Sequence, residues 1–386
     1  MDIGSENKAL INIKKFTVKA PGRVNLLGEH VDYNGGIVLP VAIDRYVTIQ
    51  ARVLNEPIIS LVANDLNLSV DVPIERLEDK CDEYGNSLPG YALYPAGVAW
   101  ALSKRGFQVN GIKATYSSNI PIGAGLSSSA AIEVGFSRVW QHIGQWNIDL
   151  MELAQICQQA ENEYVGVKSG LMDQFASAFG KQGYVLFFDT RSLERDFISL
   201  PPDVAIVIAD SGVRHSLAGS SYNERRMDCE EGVSILQRFI PGVQSLRDVT
   251  IDQYETYAHH LTPRQQKRVR YVVEEMDRVF RAIDFLRKGK VTAFGKLMFE
   301  CHNGLRDLYE VSCPELDMLV EIASGLEGCY GARLTGAGFG GCTVNLVNDR
   351  YVDTFIASMK KEFRLQTGES IDIYSCHASD GVQIIE

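Results

Sequence analysis

Arg23, Glu29, His30 and Asp32 fall within one short apolar run, Pro21-Gly22-Arg23-Val24-Asn25-Leu26-Leu27-Gly28-Glu29-His30-Val31-Asp32-Tyr33. Carboxylates and an imidazole gathered beside a turn offer both acceptors and donors, which suits the hydroxyls of a polyol. If the chain stays extended up to the turn Asp32-Tyr33-Asn34-Gly35-Gly36, Glu29 and Val31 face one way and His30 and Asp32 the other. Alternating faces count against a divalent-metal trio. A lone histidine near carboxylates is more often a satisfied surface or core group, but the company of Arg23 tilts the cluster towards a polar substrate site.

Two glycine-rich segments ask for a different chemistry. Pro121-Ile122-Gly123-Ala124-Gly125-Leu126-Ser127-Ser128-Ser129-Ala130-Ala131 follows a strand and opens a strong helix. Glycines let backbone amides approach a ligand, and the first amides of a helix lack partners within it. Together they form a cradle for phosphates. No Gly-Lys-Ser/Thr follows, so this is not a Walker loop, and Ser128 stands where a dinucleotide fingerprint needs its third glycine. A plain helix cap behind a flexible loop is the bland alternative, though three serines exceed what capping needs. Gly336-Ala337-Gly338-Phe339-Gly340-Gly341 formally satisfies G-x-G-x-x-G, but a β-rich run from Cys342 follows instead of a helix. By itself it fits close backbone packing as well as ligand contact.

Two single carboxylates join them. Glu161 occupies the next position on the apolar stripe Leu150, Leu153, Ala154, Cys157, where a carboxylate is costly unless paired or metal-bound. A helical Glu facing a phosphate loop could hold Mg²⁺, and a residue merely flanking the stripe is an equal alternative. Asp173, after Gly170-Leu171-Met172, reads by pattern as an N-cap for a helix over 174–179.

The elements that must position these residues alternate along the chain. Strands are expected over 16–28, 37–51, 58–72, 112–116, 184–188, 204–209, 343–347 and 371–374. Helices are expected over 91–102, 130–143, 150–164, 222–239, 263–288, 291–309, 315–324 and 351–363. The 386 residues suit two domains, divided between the strand runs at 184–188 and 204–209, hence as 1–200 and 201–386. Hydrophobic residues make up 45% and charged residues 23%, the mix of a globular chain with a large core. Lys and Arg total 38 against 49 Asp and Glu, and a net charge of −11 speaks against a nucleic-acid partner. The first sixteen residues lack the apolar core of a signal peptide, and no stretch is apolar for the ~20 residues of a membrane span. The eight cysteines show no zinc or disulfide spacing, so a cytoplasmic protein with reduced thiols is expected. The oligomeric state is left open, a monomer included.

Taken together these segments resemble the GHMP family of small-molecule kinases, most closely its galactose-phosphorylating branch, from about residue 16 to the end. The resemblance rests on Gly22 to Tyr33, on Gly123 to Ala130 and on Leu334-Thr335-Gly336-Ala337-Gly338-Phe339-Gly340-Gly341-Cys342. It is extended by Gln159-Ala160-Glu161-Asn162, Gly170-Leu171-Met172-Asp173-Gln174 and Ser220-Ser221-Tyr222-Asn223-Glu224-Arg225-Arg226. It implies an α/β (α+β) fold of two lobes, the first like ribosomal protein S5 and the second ferredoxin-like, with the site between them. The implied reaction moves a phosphoryl group from ATP to the C1 hydroxyl of D-galactose. By this resemblance Asp173 is the base and Arg23 its partner, which overturns the cap reading. Glu29, His30, Val31, Asp32, Gly170, Asp173 and Tyr222 would bind the sugar. Gly123, Ala124, Gly125, Leu126, Ser127, Ser128 and Ser129 would wrap the ATP phosphates, and Ser129 and Glu161 would hold Mg²⁺. Ala337 replaces a usual Gly, Ser169 a frequent Cys, and Tyr91 a common adenine-side Trp. Another aldose, such as N-acetylgalactosamine or arabinose, is the rival substrate, and a catalytically silent galactose sensor the rival function.

Overall fold

The computed structural model describes residues 15–121, 123–214 and 218–385. Most of the N-terminal stretch judged to lack a signal peptide, residues 1–14, lies outside the described residues. In chain order the first half holds β1 (Phe16–Asn25), β2 (Ile37–Val38), β3 (Pro40–Val53), β4 (Ile58–Ala63), β5 (Leu68–Pro73), α1 (Gly90–Lys104), β6 (Ile112–Ser118), α2 (Ser128–Gly144), α3 (Leu150–Gln159), α4 (Met172–Phe179), β7 (Tyr184–Asp189) and β8 (Arg195–Ser199). The second half holds β9 (Val204–Asp210), α5 (Ala218–Leu236), α6 (Ile251–Tyr257), α7 (Pro263–Arg287), α8 (Val291–Gly304), α9 (Pro314–Gly325), β10 (Cys329–Thr335), β11 (Cys342–Asn348), α10 (Val352–Thr367), β12 (Ile373–Cys376) and β13 (Gln383–Ile385).

The first sheet has the order β13-β1-β3-β6-β4-β5 and is antiparallel except for the β4–β6 pair. In β1 the first four residues alternate between buried and half-buried, as one solvated face requires, and from Ala20 onwards every residue is buried as the strand dives into the molecule. Its register against β3 slips between Pro21 and Arg23. Proline donates no ladder bond, and a Cβ on Gly22 would stand 2.7 Å from the Leu126 carbonyl oxygen. The bulge therefore aims Arg23 inward beside the serine loop. Helix α2 covers this sheet so closely that a Cβ on Gly135 would meet Ile49 at 2.7 Å. Strands β2, β7 and β8 form a small separate sheet.

The second main sheet, β10-β11-β9-β12, is wholly antiparallel. Helices α9 and α10 cover it, with Leu319, Ala323, Phe355, Met359 and Phe363 packed on Val207, Ala209, Ala332 and Val347. That order, with two crossover helices, is the ferredoxin-like plan expected for this lobe. The last strand then leaves it: β13 pairs with β1, Val18 opposite Ile384. Among the described residues no helix is long and apolar enough to cross a membrane.

Several expected elements differ. The strand expected over 16–28 stops at Asn25, because Gly28 takes φ +89° and His30 φ +60° and the chain coils. The helix expected over 150–164 stops at Gln159 and widens into a π-helical turn, Ala160–Val165. The run 58–72 is a hairpin turned through Asn67 at φ +53°. Strands β8, β10 and β13 were not expected.

Candidate active site

Arg23 ties together three distant parts of the chain. Its Nε and Nη2 donate to the two Asp173 oxygens at 2.7 and 2.8 Å, and its Nη1 donates to the Gly125 carbonyl at 2.7 Å. The Arg23 side chain is 5% exposed and that of Asp173 24%. Burial works against the arginine's charge, but the carboxylates of Asp173, Glu29 and Asp32 outweigh it and raise its pKa. Asp173 does not cap a helix. It lies in the first turn of α4, with Leu171 at the cap position, because its carboxylate is committed to Arg23 and to the Ser127 hydroxyl, which also donates to it. Ser127 itself sits at φ +56° before α2 and gives no side-chain bond to that helix, so the serine is not a cap either. The first amides of α2 thus receive no bond from the Ser127 side chain.

The sugar-type cluster converges for a reason the alternation rule could not supply. A Cβ on Gly28 would stand 2.5 Å from the Ile37 carbonyl oxygen, so glycine alone fits the turn. Coiling there brings Glu29, His30 and Asp32 onto one wall of a single pocket rather than opposite faces. The same pocket is lined by Arg23, Gly170, Asp173, Tyr222, Gly123 and the run Gly125 to Ser129, with Glu161, Ser169 and Ala337. Two members of the expected set stand apart from it. Val31 is fully buried in the core and Ala124 nearly so, so neither side chain reaches the cleft. Gly170 lies against Asp32: a Cβ there would be 1.9 Å from Asp32 Oδ2. Tyr91 is not among the lining residues.

Glu29 and His30 are held from behind. Glu29 Oε2 accepts from Arg333 Nη2 at 2.7 Å and from the Gly336 amide at 3.1 Å. His30 Nε2 lies 3.2 Å from the Ala337 carbonyl and Nδ1 2.9 Å from the Tyr33 hydroxyl. A carbonyl only accepts, so Nε2 carries the proton and Nδ1 accepts from Tyr33. Burial lowers the His30 pKa to about 4, leaving the ring neutral at pH 7. Burial, with the Asp173 charge second, pushes Asp32 up to about 7.

Glu161 is buried at the same pocket. It accepts from the Ser169 hydroxyl and from Gln174 Nε2 at 2.9 Å, and Ser129 lines the pocket beside it. Burial raises its pKa. A hydroxyl and a carboxylate beside the glycine–serine loop are hard oxygen donors, a set that would suit Mg²⁺. Among the described residues no cluster of three or more His, Cys, Asp or Glu would hold a metal unaided.

The three glycine segments interlock. The Arg23 amide donates to Leu126 O at 3.1 Å. A Cβ on Gly336 would lie 2.8 Å from Gly125 O, and one on Gly341 3.1 Å from Ala124 O. The third motif is thus a packing and a lining element at once. Sequence reasoning missed Arg333, Tyr33, Gln174 and Arg214, whose side chain lies over Gly123 while paired with Asp210 at 2.6 Å. An arginine inside an apolar strand, as Arg333 is in β10, is the signal that could have found one of them.

The GHMP kinases N terminal domain family matches residues 94–181, the galactokinase galactose-binding signature residues 8–53, and the GHMP kinases C terminal family residues 282–365. The galactokinase of Roseiflexus sp. (strain RS-1) is 44% identical over 365 residues, 95% of this chain and 92% of that relative. That of Chloroflexus aggregans is 42% identical over 367 residues, 95% and 93% of the two chains. The crystal structure of Lactococcus lactis galactokinase complexed with galactose superposes with a TM-score of 0.91 at 31% identity, covering 96% of this chain and 95% of that one. Mevalonate kinase from Methanococcus jannaschii shares the fold, with a TM-score of 0.66 at 21% identity over 95% and 99% of the chains.

Proposed function

The chain belongs to the galactokinases of the GHMP kinase family, ATP-dependent enzymes that phosphorylate galactose, and from that premise we propose how its own residues perform the transfer. Galactose sits against Glu29, His30, Asp32, Gly170 and Tyr222, with its anomeric hydroxyl at Asp173. The ATP phosphates lie along residues 123–129, on the unpaired amides at the start of α2. The C1 oxygen bonds to the γ-phosphorus as the bond from that phosphorus to the β–γ bridging oxygen breaks. The hydroxyl proton passes to Asp173, and ADP leaves. Phosphoryl transfer is largely positioning and charge neutralisation.

One observation carries this reading: a single guanidinium, Arg23, grips both the Asp173 carboxylate and the phosphate loop at Gly125. Both Asp173 oxygens accept from this guanidinium, and the same cation faces the transferring group. Ser129 and Glu161 would hold Mg²⁺, which when bound neutralises charge on the phosphates. The neutral His30, with both ring nitrogens engaged, holds a fixed orientation towards the sugar.

The division at residue 200 belongs to the same proposal, supported by the strands of the ferredoxin-like sheet all lying beyond it. So does a cytoplasmic setting, supported by eight cysteines that are all free thiols. Small molecules, rather than nucleic acid, are the expected partners of so acidic a chain. A coupled ADP-release assay over a panel of free aldoses with Mg-ATP tests the reading. Turnover with galactose above all others is expected. Binding without turnover, or preference for N-acetylgalactosamine or arabinose, would overturn it.

A further inference from the structure

Behind the pocket lies a buried polar chain that the transfer step does not itself use. Ser129 and Glu133 stand one turn apart on α2 and share a face. Glu161 lines the same pocket as Ser129. Gln174, the residue after the base, is fully buried and donates from one nitrogen, Nε2, to Glu161 Oε2 and to Glu133 Oε2, both at 2.9 Å. An amide nitrogen has two protons, and here each goes to a different carboxyl group. Glu133 is also fully buried, and neither its Oε1 nor Gln174 Oε1 has a partner among the described residues. A carboxyl group placed in the core with half its bonding capacity unmet is costly, and nothing in sheet or helix packing demands it there.

We propose that Gln174 and Glu133 are positioning residues for Glu161: Glu133 anchors the Gln174 amide from behind, and the amide aims the Glu161 carboxylate at Ser129 and the metal-bearing phosphates. The inference rests on the reading of Glu161 as a magnesium ligand. Because Gln174 adjoins Asp173 on the first turn of α4, the same amide sets the metal ligand's place relative to the base. Groups that orient a ligand carboxylate typically change metal affinity by about 10–100-fold when removed.

The test uses Gln174→Met and Glu133→Met, with Glu133→Gln as the conservative variant, since its carbonyl still accepts from Gln174. Calorimetry without galactose compares ADP binding with and without Mg²⁺, and galactose binding is measured separately. The methionine variants are expected to lose about tenfold or more of the magnesium-dependent gain in ADP affinity. Metal-free ADP and galactose binding should stay within twofold of the parent, and Glu133→Gln should keep the parental magnesium dependence. Gln174→Asn, which withdraws the amide by one methylene, makes the same comparison if Gln174→Met does not fold. Parental magnesium dependence in the folded methionine or asparagine variants, with only a lower melting temperature, would overturn the inference. Glu161→Ala is run beside them. If it too leaves the magnesium effect intact, the ligand reading of Glu161 fails; if it abolishes the effect while the others do not, only the positioning role fails.

Discussion

Replacing Asp173 by asparagine keeps the shape of the side chain and removes its charge and its capacity to take a proton. The carboxylate receives two bonds from Arg23, at 2.7 and 2.8 Å, and one from Ser127. In the variant one amide NH₂ must face these donors, so at least one bond is lost and Arg23, 5% exposed, loses its nearest counter-charge. Removing a partner from a buried pair costs about 3–5 kcal/mol, but Glu29 and Asp32 still surround the guanidinium. A loss of about 1–3 kcal/mol, the cost of an unmet buried group, is therefore the working figure. That is below the ~5–15 kcal/mol of an ordinary domain, so the variant should fold. A positioned base contributes about 10²–10⁴ in rate, or about 3–5 kcal/mol of barrier at 1.36 kcal/mol per decade. The expected kcat in the coupled ADP-release assay is thus about a thousandth of the parent's, with the galactose dissociation constant from calorimetry changed only a few-fold. A kcat within tenfold of the parent at saturating galactose and Mg-ATP would show that Asp173 is not the base.

Asp32, raised to about 7, holds its proton more tightly in the folded chain than in the unfolded one. Its stabilising contribution is complete below the ordinary carboxylate range and is lost as pH rises through 7, so Asp32→Asn should gain more in melting temperature over the parent at pH 8 than at pH 5. An equal gain at both pH values would contradict this. Gly170→Ala drives a methyl into Asp32 Oδ2 and should raise the galactose KM by tenfold or so, about 1.4 kcal/mol, with the ATP KM unchanged; an unaltered galactose KM would separate Gly170 from the sugar site. Glu29→Gln strips the counter-charge from the fully buried Arg333 and should cost about 3–5 kcal/mol of stability, read as a lower denaturant midpoint. A midpoint equal to the parent's would mean that the pair does not hold the loop.

Residue types and spacing were enough to single out residues 123–129, the polar cluster and Glu161 as candidates, which the fold gathers around one pocket, because glycines before a helix and carboxylates in apolar runs are local signals. What local pattern could not supply was the turn at Gly28. Strand alternation placed Glu29 and His30 on opposite faces, and two left-handed residues bring them together instead. Asp173 shows the same limit from the other side: its sequence context is that of a cap, and only a partner 150 positions away decides otherwise. Arg333 escaped notice because strand β10 itself did. Its residues Cys329 to Thr335 include Arg333, which donates to Leu26 O and Glu29, and Thr335, whose hydroxyl accepts from the Asn25 amide, contacts no window along the chain contains. β13 is only three residues long, too short for periodicity to register.

The way the glycine segments interlock bears on how this enzyme could be recombined with its relatives. Gly22, Gly125 and Gly336 each leave no space for a side chain because a carbonyl of a neighbouring segment occupies it. A chimera that imports one of these stretches from another kinase would set foreign backbone against native backbone at distances with no slack. Segments 22–30, 123–129 and 334–342 therefore travel as one inheritable block, and crossovers in a shuffled library should survive between such blocks' outer elements while those that divide the block are purged.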